Sequence, residues 1–362
     1  MDSVEISLVT CSPHEEVYSL YGHTALRYHD LHRDVKGGDM IFNWGMFSFQ
    51  APHFVARFVF GLTDYELGIS DVAGFCDYYR RWGSSVIEQV LNLTPQEKLR
   101  VQRALQTNYL PMNRTYRYNF FYDNCSTRPR DIIEQCVMGR VDYHPRQDYE
   151  PSFREMVREK VRHHRWAMWG NDMLLGAKAD LKTNRKEQEF LPENLFYDFD
   201  HAVIATPDGN SRPLVLTRHS LVPSGIQMRE PDFPLTPLQC ALCLLAVSAG
   251  IALVEWRRRK TYKYWDATLM LAAGLTGCVL TVMLFSQHPT TSTNLLVLLF
   301  NPLHLLFIPS VLRRRKTRYW MLLVVMLCLL AAGALIQSYA EGVAVLALCL
   351  LIRIWSNVKL KN

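Results

Sequence analysis

A sharp change in composition near residue 237 constrains the fold of this chain more than any other feature. Residues up to about Pro237 are polar, whereas from Leu238 onward long apolar runs alternate with short basic connectors. A helix needs about 20 apolar residues to cross a bilayer, and about 17 are tolerated. The pattern predicts five membrane-spanning helices, the last two of them short, within Leu238–Val254, Ala267–Phe285, Leu295–Leu312, Met321–Ile336 and Val343–Ile354.

The connectors predict the orientation, because Lys and Arg stay on the cytoplasmic side during insertion. Basic clusters follow the first, third and fifth runs, at Arg257–Lys260, at Arg313–Lys316, and at Arg353, Lys359 and Lys361. The loops 286–293 and 337–342 contain no Lys or Arg. We therefore expect a protein of the bacterial inner membrane with its first 235 residues in the periplasm and a cytoplasmic C-terminus. The connectors also explain much of the net charge of +6, so no nucleic-acid partner is expected.

Two domains are predicted, residues 1–235 and residues 236–362. In the first domain, Val4–Val9, Ala25–Tyr28 and Met40–Trp44 alternate like half-buried strands, and Thr94-Pro95 starts a helix. Helical spacing also covers 130–138 and 152–168, with a break at 169–172, and the Asp208-Gly209 pair indicates a hairpin. The first domain is thus expected to be α+β and the second an all-α bundle.

Export of the first domain requires a signal. Residues 1–5 show neither a basic start nor an apolar core. We therefore expect that a signal peptide has been removed.

Nine cysteines are present, and five of them lie in the apolar runs. The others are Cys11, Cys76, Cys125 and Cys136. Their spacing fits neither a small disulfide scaffold nor a zinc motif. The sequence therefore leaves a free thiol as a possibility and predicts no metal and no cofactor.

Cys125 is the candidate nucleophile because it stands where a helix begins. A helix N-terminus lowers a thiol pKa through its unpaired amides and its positive dipole end. The small polar neighbours Asn124, Ser126 and Thr127 suit a tight turn that exposes the sulfur and directs amides at an oxyanion. A buried structural cysteine at a helix cap is an equally good interpretation.

His23 is the candidate general base for that thiol. Gly22 permits a close approach, and His23 opens a predicted strand, which is a rigid position from which to aim an imidazole. Asn43, on the next predicted strand, is a candidate for orienting the imidazole. The alternatives are a surface or core histidine and a turn-forming asparagine.

Five further residues are candidates for substrate binding: Tyr21, Asn124, Arg128, His288 and Asn294. Arg128 suits a phosphate or a carboxylate, or it pairs with Asp123 or Asp131. The translocated loop that contains His288 and Asn294 suits lipid head groups, or it is an ordinary polar turn. We expect the aromatic stretch Phe47–Phe60 to pack in a core rather than to lie in the membrane interface.

These motifs carry a resemblance that covers nearly the whole chain. The segments Y-G-H-T-A-L-R, F-N-W-G-M-F and Y-D-N-C-S-T-R-P-R-D, together with L-L-G-A-K-A-D from Leu174 and the terminal helices, resemble the Lnb family of bacterial lipoprotein N-acyltransferases. The resemblance implies a circularly permuted papain-like domain of the NlpC type. It implies catalysis by Cys125, His23 and Asn43 in a thiol acyltransferase.

The expected reaction passes a fatty acyl group from a membrane phospholipid, through a thioester, to the α-amine of a diacylated lipoprotein. Two rival functions remain at this point. One is a membrane-anchored cysteine peptidase or amidase that acts on the cell wall with the same Cys-His pair. The other is a non-enzymatic protein that binds envelope components.

Overall fold

The computed structural model describes residues 1, 3–32, 37–144, 146–227, 231–314 and 318–360. The connector residues Arg315, Lys316 and Lys361 lie outside these ranges. The described residues form two compact units. One comprises Met1–Pro151 and Lys182–Glu230, and the other comprises Ser152–Leu181 and Pro231–Asn362.

Within the described ranges, the strands all lie in the first unit. They are β1 Val4–Cys11, β2 His23–Asp30, β3 Asp39–Met46, β4 Asp64–Asp71, β5 Val86–Leu91, β6 Thr115–Arg117, β7 Arg140–Asp142, β8 Val203–Ala205, β9 Ser211–Pro213 and β10 Val215–Val222.

The helices are shared between the two units. They are α1 Phe54–Val59, α2 Val72–Arg81, α3 Pro95–Tyr109, α4 Thr127–Cys136, α5 Phe153–Lys160, α6 Arg165–Leu174, α7 Arg185–Gln188, α8 Pro192–His201, α9 Pro237–Arg258, α10 Lys263–Leu284, α11 Leu303–Leu312, α12 Tyr319–Gly333 and α13 Val343–Lys359.

A seven-stranded sheet of order β10-β5-β1-β2-β3-β4-β6 forms the centre of the first unit, and all its pairings are antiparallel. Both faces are covered because both sets of alternating side chains are apolar: Leu8 and Leu26 face one core, and Val9 and Ala25 face another. Helices α3, α4 and α8 pack on the first face and α2 on the second. The first unit is therefore α+β, as predicted.

The local signals for the first unit are largely confirmed. Helix α3 has the predicted start, with Thr94 and Glu97 forming a capping box. Strands β8 and β9 form the predicted hairpin, and Gly209 adopts a φ of +87° in its turn. The helix expected at 130–138 begins three residues earlier, at Thr127.

The prediction that the aromatic stretch Phe47–Phe60 packs in a core was wrong for most of the stretch, although Phe47 is partly buried against the core. The side chains of the stretch are largely exposed, with Phe49 at 66% and Val55 at 75%. The core that they were expected to join is already filled by β-strand and helix side chains such as Phe42 and Tyr65.

The second unit contains the apolar helices together with a segment, 152–181, that sequence reasoning assigned to the first domain. Arg154, which is 1% exposed, holds this segment by ion pairs with Asp172 and Asp180. Asp172 also binds Arg158. These ion pairs stabilise α6 through Trp169–Asp172, where we expected a break. The helical stretch expected at 152–168 is instead divided at 161–164 into α5 and α6.

By length and composition, three segments among the described residues can cross a membrane: Pro237–Arg258, Lys263–Leu284 and Leu295–Leu312. Tyr319–Gly333 is apolar but shorter. Helix α13 covers the fifth predicted run and carries a buried Arg353 that pairs with Glu255 and Asp266. Helices thus occur at all five predicted places. Three of the five predicted spans meet the length and composition of a span, and the fourth and fifth stay predictions.

Candidate active site

The turn before α4 presents Cys125. Asn124 is 2% exposed, and its Oδ1 accepts hydrogen bonds from the amides of Ser126 (2.8 Å) and Thr127 (3.0 Å). Its Nδ2 donates to the carbonyls of Phe120 (2.9 Å) and Phe190 (2.8 Å). Asn124 therefore caps the helix and ties the turn to two other segments, which fixes the backbone that carries the sulfur.

These bonds change one expectation. The sequence indicated that amides after Cys125 point at an oxyanion, yet those of Ser126 and Thr127 already bind the Asn124 side chain. Asn124 itself was a candidate for substrate binding, and its side-chain oxygen and nitrogen are both engaged within the protein. These contacts favour a structural role for Asn124.

His23 and Asn43 lie on adjacent strands and face Cys125. His23 opens β2, and its Nε2 lies 3.2 Å from Asn43 Oδ1. Because Asn43 engages Nε2, the other ring nitrogen, Nδ1, is left for the hydrogen bond between His23 and Cys125. Asn43 is 5% exposed, and its Nδ2 donates to Ser70 Oγ on β4 at 2.9 Å. The imidazole is thus held from both sides.

The electrostatics of the pair favour a thiolate and an imidazolium. Burial raises the pKa of Cys125, but the charge and hydrogen bond of His23, the Thr24 amide and the Ser126 hydroxyl lower it more, and the net shift is downward. Burial lowers the pKa of His23, while the charge and hydrogen bond of Cys125 and the bond to Asn43 raise it above its usual value. Each group therefore stabilises the charged form of the other.

Two glycines allow strands to pass close to the pair. Gly22, just before His23, has a φ of +79°, and a methyl group there would lie 2.8 Å from the Cys11 carbonyl oxygen. Gly45 has a φ of +93° where the register of β3 against β4 shifts. A methyl group on Gly45 would lie 3.9 Å from Cys125 Cβ. Both positions therefore favour glycine.

Aromatic side chains lie in the neighbourhood of the thiol. The site of a methyl group on Gly45 would lie 3.8 Å from Tyr118 Cε2, so Tyr118 borders the same space as Cys125. Burial and then the charge of Cys125 raise the pKa of Tyr118, which keeps its phenol neutral. Tyr21, a candidate for substrate binding, packs edge-on against Phe120 at 4.8 Å. The site thus combines a Cys-His pair, whose pKa shifts favour the charged forms, with aromatic neighbours.

Arg128 is engaged within the protein. Its Nε and Nη2 donate to the two carboxylate oxygens of Asp123, at 2.6 and 2.8 Å. Its guanidinium also lies 3.5 Å from the centre of the Tyr116 ring. Of the alternatives for Arg128, these contacts favour pairing with Asp123 over capture of a ligand anion.

His288 and Asn294 belong to the second unit. Asn294 is 3% exposed: its Oδ1 accepts from the Leu296 amide (3.0 Å), and its Nδ2 donates to the Met173 carbonyl (2.7 Å). Asn294 therefore fastens segment 152–181 to the unit of apolar helices. His288 is partly exposed and lies in the turn after α10.

All nine cysteines are free thiols. Within the described ranges, no cluster of three or more His, Cys, Asp or Glu side chains is placed to hold a metal ion.

Sequence reasoning missed Ser70 and Thr24. Thr24 Oγ1 lies 3.1 Å from Ser126 Oγ and joins β2 to the turn of Cys125. Ser70 lies outside the motifs, and Thr24 stands in the Y-G-H-T-A-L-R segment without a role assigned to it. Both act through strand register, which a single sequence does not reveal. Gly45 had a signal, since a glycine inside a strand often marks a bulge or a close approach.

Comparison with known families covers most of the chain. A family model described as the Lnb N-terminal periplasmic domain matches residues 1–157, and one described as the Lnb transmembrane domain matches residues 228–362. Searches of curated proteins and of solved structures each gave no match. The matches support a membrane protein with a periplasmic N-terminal domain, consistent with the predicted orientation of the first 235 residues. The chain belongs to the Lnb family.

Proposed function

We propose that this protein is a thiol acyltransferase that N-acylates lipoproteins. The observation that carries the proposal is the Cys125–His23–Asn43 arrangement, with its lowered thiol pKa and raised imidazole pKa. The cysteine precedes a helix, and the histidine and asparagine lie on neighbouring strands of an antiparallel sheet. This arrangement supports a papain-like site in which the histidine precedes the cysteine along the chain.

In the first half-reaction, the Cys125 thiolate attacks the ester carbonyl of a membrane phospholipid. The protonated His23 donates its proton to the leaving alkoxide, and the products are a lyso-lipid and a thioester on Cys125. The amides of Ser126 and Thr127 are occupied. We therefore propose the amide of Cys125 itself as an oxyanion donor.

In the second half-reaction, the α-amine of a diacylated lipoprotein attacks the thioester carbonyl. His23, now neutral, accepts the proton of the attacking amine, and the Cys125 thiolate leaves. The product is an amide, and the ionised pair is restored. His23 therefore serves as acid in one step and as base in the other.

Both substrates are anchored in a bilayer, so a catalyst fixed to membrane helices meets them at a high effective concentration. Three segments have the length and composition of spans. We propose that α12 and α13 complete a set of five, which places the C-terminus in the cytoplasm. Tyr21 and His288 remain our proposed contacts to the substrates.

The decisive experiment is to trap the acyl-enzyme. The full-length protein is reconstituted with phospholipid in the absence of lipoprotein, and its cysteine peptides are analysed by mass spectrometry. We expect a fatty acyl mass on Cys125 that hydroxylamine removes, and none in Cys125→Ser. Cys243→Ser, which changes an exposed cysteine, serves as the matched control and should retain the adduct.

Other outcomes would assign other functions. An adduct that forms and then turns over only to free fatty acid, even with lipoprotein present, would indicate a lipid hydrolase. Absence of an adduct together with cleavage of cell-wall peptides would support the peptidase. Absence of both activities would favour a binding protein.

A further inference from the structure

The aromatic patch, defined here as Phe47, Phe49, Phe54, Val55 and Phe58, lies on the surface of the first unit. Helix α1 contributes three of its members, and none of the six residues of that helix is buried. Phe49 and Phe58 are 66% and 44% exposed. Soluble surfaces rarely display such a contiguous set of large apolar side chains without a partner.

The rings of the patch pack on one another. Phe47 contacts Phe49 at 4.9 Å and Phe54 at 5.6 Å between ring centres, and Phe54 contacts Phe58 at 6.3 Å. The patch is therefore one surface rather than a scatter of separate side chains.

A row of contacting rings leads from the patch to the neighbourhood of Cys125. Phe47 contacts Tyr65 at 5.0 Å, and Tyr65 stacks on Tyr118 at 4.1 Å. Tyr118 in turn borders the space beside Gly45 that Cys125 also borders. The patch is thus continuous with the walls of the candidate active site.

The charge pattern indicates what the patch contacts. Residues 46–62 contain no Asp or Glu, and their single Arg or Lys is Arg57. A segment of aromatic residues without acidic groups suits the boundary between head groups and acyl chains. The same chain carries membrane-spanning segments, which tether the first unit to a bilayer through the polypeptide.

We propose that the aromatic patch inserts into the outer surface of the bilayer and delivers the ester region of a lipid to Cys125. Contact with lipid is independent of the reaction that Cys125 performs, whereas delivery of the ester rests on the proposed function. The aromatic, acid-free composition of the patch favours a phospholipid surface as its occupant.

Photocrosslinking of the full-length protein in phospholipid vesicles tests the contact directly. A benzoylphenylalanine is placed at Phe49, at Val55 or, as the matched control, at Leu216 on β10, which is 62% exposed in the same unit. We expect lipid adducts at positions 49 and 55 and few at 216. Adducts to a second copy of the chain, no adducts, or equal adducts at all three positions would overturn the proposal.

An activity measurement tests the delivery. Val55→Asp should lower the rate of Cys125 acylation by vesicle lipid on the order of tenfold, because a charge opposes insertion. Alkylation of Cys125 by iodoacetamide should be unchanged, and Leu216→Asp should alter neither rate. Slower alkylation in Val55→Asp, or unchanged acylation, would refute delivery. If the unsubstituted protein forms no acyl-enzyme, the crosslinking result still decides whether the patch meets lipid.

Discussion

Asn43 and His23 lie on adjacent antiparallel strands and are joined through Oδ1 and Nε2 at 3.2 Å. This contact leaves one orientation of the imidazole, with Nδ1 toward Cys125. The hydrogen bond strengthens when His23 is protonated, because the donor then carries charge. Asn43 therefore both orients the imidazole of His23 and stabilises its charged form.

Asn43→Ala is expected to lower the rate of Cys125 acylation by about 10-fold to 100-fold. A hydrogen bond to a charged group contributes about 1.5–3 kcal/mol, and its loss frees the imidazole. Acylation kinetics in vesicles measure the effect. Ser70→Ala removes only the support of Asn43, so a smaller loss is expected there. A larger loss in Ser70→Ala than in Asn43→Ala would contradict the order of contacts that we describe.

The pH dependence of thiol reactivity tests the ionised pair. Alkylation of Cys125 should rise with pH at values below the usual pKa of a cysteine, because the net effect of its surroundings is to lower that pKa. Protonated His23 should persist above its own usual pKa. Acylation should therefore rise as Cys125 ionises and fall at higher pH as His23 loses its proton.

His23→Ala provides the comparison for the pH profile. Burial, which raises the pKa of Cys125, then acts without the charge of the imidazole. Alkylation should shift to higher pH, as read by mass spectrometry of the Cys125 peptide. An unshifted profile would show that His23 does not ionise the thiol.

Asn124→Ala should destabilise the first unit by about 2–3 kcal/mol, because it removes a helix cap and the hydrogen bonds that Nδ2 donates to the carbonyls of Phe120 and Phe190. Thermal unfolding in detergent measures this cost. Asn184 is the matched control, since it also caps a helix, with its Oδ1 accepting from the Glu187 amide. Asn184→Ala should cost about 1 kcal/mol. If Asn124→Ala and Asn184→Ala destabilise the protein equally, the hydrogen bonds donated by Asn124 Nδ2 contribute nothing to stability.

Arg353→Met should destabilise the second unit by about 3–5 kcal/mol, because it leaves Glu255 and Asp266 buried without their cation. The loss is measured as the decrease in the thermal unfolding temperature of the protein in detergent micelles. Adding Glu255→Gln and Asp266→Asn to Arg353→Met should recover part of the loss. No recovery would show that the charges are not the cause.

Local chemistry in the sequence predicted much of the first unit. The cap at Thr94, the Asp208-Gly209 turn and the placement of Cys125 before a helix each follow from neighbouring residues, and the structure contains all three. The pairing of Cys125 with His23 depends on a fold that brings residues about a hundred positions apart together. The separate motifs of Cys125 and His23 suggested that the two residues pair, but they did not predict the distance or orientation between the side chains.

The features that the sequence did not predict depend on tertiary contacts. Trp169–Asp172 looked like a break because Gly170 and Asn171 are poor helix formers, yet Arg154 and Arg158 bind Asp172 and stabilise the helix there. The contact of Ser70 with Asn43 depends on the pairing of β3 with β4, which the sequence does not reveal. The exposure of Phe49 follows from a core that other side chains already fill, which composition alone does not show.

The assignment of 152–181 to the second unit bears on how the protein can be handled. The polypeptide crosses between the units three times, near residues 151, 181 and 230. No single proteolytic cut releases an intact half, and a secreted fragment ending at residue 235 would present Trp169 and Met173 to water without their packing partners. We therefore expect the isolated N-terminal portion to aggregate when it is expressed, so that folding requires the whole chain.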